Sequence, residues 1–182
     1  MIDVDVINKS IRDYVGLVTG LNTDTNVLKA NQNAPTPTTP FASVLITPIA
    51  SIGQDQIGYE DISPETTTNI NETRDGVRQF NASINFFMAS AINNAFKLQG
   101  ASYESANLAF LVSNGIGYIN TTDVRDLTEI DLANFEERAQ IDMLFHVIDT
   151  NINEVDSVQE VDIEVNIETE QGDYQNTIEV TL

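Results

Sequence analysis

Toward its C-terminus the chain alternates with a period of two. Val161, Ile163, Val165 and Ile167 take one side, and Asp162, Glu164, Asn166 and Glu168 take the other. Beyond Gln171-Gly172-Asp173 the pattern resumes, with Ile178, Val180 and Leu182 against Thr177, Glu179 and Thr181. Successive strand side chains point to opposite faces, so the spacing predicts a β-hairpin over 160–182 with one apolar and one acidic face. A lone hairpin is marginal in water. Its apolar face must therefore cover either its own domain or a neighbouring subunit, which makes Ile163, Val165, Ile178 and Val180 interface candidates.

The rest of the chain supplies mixed elements. Val6, Ile7, Ile11, Tyr14, Val15, Val18 and Leu21 recur at three- and four-residue steps, so Asp5–Leu21 is predicted as an amphipathic helix. Asp3 or Asp5 is placed to cap its start, and Gly20 to stop it. Residues 31–40 hold three prolines and no large apolar residue, which predicts an extended loop. Phe41–Ile46 then reads as a strand, buried on both faces or lying along a sheet edge.

Glu65–Asn71 and Val77–Met88 read as the arms of a second hairpin, with Asp75-Gly76 as its turn signal. In the later arm Arg78, Phe80, Ala82, Ile84, Phe86 and Met88 share one face, and Gln79, Asn81, Ser83 and Asn85 share a wetter one. Ser90–Val112 is helical in pattern, with Gly100 as an interruption and Asn114-Gly115 as a left-handed stop. Ile116–Asn120 and Ile141–Ile148 read as strands. The sum is an α+β fold, a largely antiparallel sheet covered on one face by two or three helices. Residues 1–182 form one domain: an N-terminal helix region (1–30), the Pro/Thr loop (31–40), and the hairpin (160–182).

With 28 acidic and 8 basic residues the formal charge is −20. Nucleic-acid affinity comes from Lys and Arg displacing condensed counterions, so this balance argues against direct DNA binding. It fits either plain solubility or a functional acidic surface. The absence of cysteine removes disulfides, thiolate zinc sites and Cys nucleophiles. The N-terminus lacks a signal-peptide pattern, and no apolar run approaches the roughly 20 residues that span a bilayer. A soluble protein made in the cytoplasm is expected.

Catalytic chemistry finds little footing. His146 is the single histidine and sits in a strand pattern without a second His or Cys nearby. There is no G-x-S-x-G nucleophile turn, and Gly115-Ile116-Gly117 precedes a strand where a phosphate loop would need a helix N-terminus. The carboxylates of Glu136-Glu137 and of the C-terminal ribbon lack the spacing of a calcium loop. No cofactor is expected, and a metal-dependent hydrolase is the remote alternative.

One succession of motifs points elsewhere. A strand ending in Ser83-Ile84-Asn85-Phe86-Phe87 is followed by the helical region and then Asn114-Gly115-Ile116-Gly117-Tyr118. Next come Val124-Arg125-Asp126-Leu127-Thr128 and, after a spacer, Phe135-Glu136-Glu137-Arg138-Ala139-Gln140-Ile141-Asp142-Met143-Leu144-Phe145. In order and spacing this resembles the bacteriophage neck or tail-terminator family, over roughly Val77–Val165. The resemblance implies a structural virion subunit, not an enzyme. Such subunits form a ring, commonly a hexamer, that caps the tail tube and joins it to the head connector while DNA passes through the lumen without specific binding. A tail-tube or head-closure subunit is the alternative. Assembly would take place in the host cytoplasm, and no membrane partner is implied. Interface candidates on this reading are Arg125, Asp126, Glu137 and Arg138. Arg138 has carboxylates of its own or the next subunit as expected partners.

Overall fold

The computed structural model describes residues 2–33, 35–61, 69–131, 134–156, 160–169 and 172–181. Helix α1 (Val4–Thr19) starts where Asp3 Oδ1 accepts from the backbone N–H groups of Asp5 and Val6, at 2.9 and 3.2 Å. It stops at Gly20, whose φ of 79° is the left-handed conformation expected of a helix stop. Both ends thus match the sequence pattern. Ile7, Ile11, Tyr14 and Val15 bury its apolar stripe.

Strand β1 (Val27–Lys29) runs parallel to β2 (Phe41–Ile46), the strand expected there. The Pro/Thr segment between them carries no helix or strand among its described residues. Strand β2 is antiparallel to a long strand numbered β4 (Asn69–Phe87), with Phe41 opposite Phe87 and Val44 opposite Ile84. The preceding strand, β3 (Ala50–Asp61), also pairs with β4.

The hairpin expected around Asp75-Gly76 is absent: β4 runs straight through residues 72–76. Residues 65–68 of its expected first arm lie outside the described residues. Gly76 is not at positive φ; it is buried, and an added Cβ would run into the Arg78 guanidinium and the Asp55 carboxylate. Arg78 grips Asp55 with both Nη atoms, at 2.7 and 2.9 Å. The glycine therefore serves a close packing contact and not a turn.

After β4, α2 (Ala91–Ala101) and α3 (Ser105–Ser113) are separated by a short break just past Gly100, and Gly115 (φ 71°) follows the second helix. Then come β5 (Ile116–Thr121), β6 (Arg125–Asp126), and the small hairpin β7 (Glu129–Asp131) and β8 (Asn134–Glu136). The long strand β9 (Arg138–Asp156) begins earlier and ends later than expected. The sheet order is β1-β2-β4-β9-β5, with β6 also on β9. The C-terminal ribbon forms as β10 (Glu160–Thr169) and β11 (Gly172–Thr181), with Val161 opposite Val180 and Ile163 opposite Ile178.

The core explains the arrangement. Phe80, Ala82, Ile84 and Phe86 of β4 and Ala139, Ile141, Met143, Phe145 and Val147 of β9 bury one sheet face beneath Ala95, Leu98 and Leu111 of the helices. Phe80 and Phe145 stack across the two strands at 5.5 Å. The fold is α+β, with a mostly antiparallel sheet covered on one face by the three helices. By internal contacts the chain divides into two compact units, residues 1–55 with 75–150, and residues 56–74 with 151–182.

Candidate assembly surface

Alternation along β4 and β9 sends Ser83, Asn85, Phe87, Arg138, Gln140 and Asp142 to the sheet face away from the helices. This face was expected to be wet, but its side chains are half-buried in a polar network. Gln140 Nε2 donates to Ser83 Oγ at 2.8 Å and to Asp142 Oδ1 at 3.2 Å. Arg125, opposite Gln140 in the β6–β9 register, donates to Asp142 Oδ2. Three strands are thereby tied by polar groups with partners, which is what half-buried polar groups require.

The other predicted motif residues take separate roles. Asp126 Oδ1 accepts from the Thr128 backbone N–H at 2.9 Å, and the Thr128 hydroxyl and N–H hold its carboxyl below the usual range. Glu137 closes the start of α2, accepting from the N–H of Ser90 at 2.8 Å and of Ile92 at 3.2 Å. Ser90 makes no cap hydrogen bond with its own side chain; it sits at φ 68°, two residues after Met88 at φ 67°. A carboxylate from another strand thus supplies the negative charge that a helix N-terminus favours.

Arg138 does not close on Glu137. Its guanidinium lies 5.1 Å over the Phe87 ring, and Nη2 reaches Asn85 Oδ1 at 3.4 Å. Phe87 in turn stacks on Phe41 at 4.6 Å. No carboxylate among the described residues pairs with Arg138, and its buried Nε has no acceptor. Beside this corner, Leu28, Lys29, Pro37, Phe41, Phe87 and Glu136 are among the residues that line an open cleft of about 400 Å³. Sequence reasoning missed Phe41 and Phe87 as site residues. The pair Phe86-Phe87 held the signal, because adjacent aromatics on a strand face opposite sides and only one can enter the core.

The interface candidates Ile163, Val165, Ile178 and Val180 occupy the β10–β11 register, where Val165 faces Asn176. His146 lies over Gly117, whose added Cβ would strike the imidazole. The G-x-G pair is thus accounted for by a helix stop and a packing contact. Among the described residues no group of three or more His, Asp or Glu side chains is placed to hold a metal. Nor is any described helix long and apolar enough to cross a membrane.

Residues 5–173 match the family described as phage neck terminator protein, and the chain belongs to that family. It is a structural protein family of the phage tail and neck. The match extends past both ends of the Val77–Val165 stretch that carried the resemblance. No curated protein matches the chain.

Proposed function

We propose that this chain is the subunit of a closed homo-oligomeric ring, hexameric on the family resemblance, that caps the phage tail tube and joins it to the head connector. Membership of the neck terminator family across residues 5–173 carries this reading. Residues 1–182 act in it as one tail-terminator-like domain, assembled in the host cytoplasm and resident in the virion neck, with no enzymatic role.

The charge distribution supports the reading. Five of the eight basic side chains, Lys9, Lys29, Arg74, Arg78 and Arg125, are spent on carboxylates of the same chain. A ring of such subunits presents an anionic lumen, which lets DNA pass without specific binding because acids repel phosphates. Subunit contacts then fall to apolar surface and the remaining cations. We assign them to Arg138 and to the ribbon positions Ile163, Val165, Ile178 and Val180. Arg125, Asp126 and Glu137 shape the adjoining loops.

Electron microscopy of the purified protein, alone and with tail tubes, tests the reading. Closed rings that sit on tube ends and do not extend are expected. Spontaneous growth into tubes would make it a tube subunit, and a monomer that ignores tube ends would overturn the ring.

A further inference from the structure

The small hairpin β7–β8 has an odd composition for a surface loop. Ile130 and Phe135 are directly opposed across it, and they are 69% and 79% exposed. Large apolar side chains left this open on so short a hairpin add no stability to it, and two three-residue strands are marginal on their own. Glu129 faces Glu136 in the same register. Like charges directly opposed across strands destabilise the pair unless a cation lies between them. No basic side chain among the described residues pairs with either acid.

The complementary features are present at the aromatic corner. Leu28, Pro37, Phe41 and Phe87 form the apolar part of the cleft, whose lining also includes polar side chains and Glu136 of the same chain, and its volume is about 400 Å³. That lies at the small end of ligand pockets, about 300–1,000 Å³, and suits a pair of side chains. Arg138 stands on Phe87, and no carboxylate among the described residues pairs with it. Arm and cleft belong to the same compact unit, yet the arm's apolar pair stays exposed and the arginine has no carboxylate partner among the described residues.

We propose that β7–β8 is a docking arm that seats Ile130 and Phe135 in this cleft on a second copy of the chain, where Arg138 meets the Glu129/Glu136 pair. The occupant is a second copy because both halves of the match, apolar to apolar and acid pair to cation, reside on one chain. Subunits of charge −20 repel one another at a distance. A contact between them needs buried apolar anchors and a neutralised acid pair, and the arm brings both. The inference rests on the assembly reading and names its interface.

Sedimentation velocity over a concentration series of the full chain provides the test. Ile130→Asp with Phe135→Asp alters only exposed positions, so circular dichroism should stay native while the assembly constant weakens at least tenfold. Arg138→Glu should weaken it as well, and Glu129→Lys with Glu136→Lys in the same chain should restore it; a misfolded variant would not be rescued. An arm variant that assembles like wild type overturns the arm and leaves the ring standing. So does one that keeps its rings but loses tail-tube binding, since the arm then serves another virion protein. A wild-type chain that remains monomeric throughout, without tube ends or with them, overturns the ring reading itself.

Discussion

Single side chains in this protein are placed by contacts far from them in sequence. Tyr14 is fully buried with its hydroxyl lacking a partner among the described residues, and that burial pushes its pKa up to about 12. The unfolded chain ionises this phenol near pH 10, so the stability tied to its neutral form is whole below pH 10 and is lost as the pH climbs to about 12. Alkaline absorbance titration should show one late tyrosine that Tyr14→Phe removes. The same substitution should change stability by no more than about 1 kcal/mol, because the deleted hydroxyl makes no hydrogen bond to the described residues. Gly76→Ala should instead cost about 1–3 kcal/mol in denaturant melts, since its methyl displaces the Arg78–Asp55 ion pair from a packed site.

At the scale of elements, the start of α2 depends on Glu137. Glu137→Ala should cost about 0.5–2 kcal/mol, and amide exchange should quicken at Ser90 and Ile92 before it does elsewhere in the helix. Local chemistry made several elements legible: the Asp3 cap and Gly20 stop bound α1, apolar density gave β2, and alternation gave β9, β10 and β11. Where local and tertiary signals conflicted, the local one misled. Asp75-Gly76 has the residues of a turn, yet Gly76 is small to admit the Arg78 side chain inside a continuous strand. Strand β3 left little trace, because Ile52, Ile57 and Tyr59 are exposed and no buried face imposes a period. The site was half legible for a similar reason. Arg138 stood out as a scarce cation, whereas its seat on Phe87 depends on which face of β4 that ring takes.

For the whole molecule, net charge sets the conditions of assembly. Copies at −20 repel beyond contact range, and raising the ionic strength from about 0.01 to about 0.15 M shortens the Debye length from about 30 to about 8 Å. Light scattering should therefore show assembly strengthening across that range; weakening would mean that attractive ion pairs dominate the interface. The clamp at the strand-to-helix junction has a further consequence, in the order of events during synthesis. The acceptor that closes α2 is encoded 47 positions after Ser90, and the Met88 N–H likewise waits for the Glu137 carbonyl. A nascent chain that has released α2 but not β9 holds a helix whose first turn lacks that acceptor. The helical layer is thus finished only when the entry to β9 arrives, so incomplete chains carry an unfinished junction and the mature subunit does not.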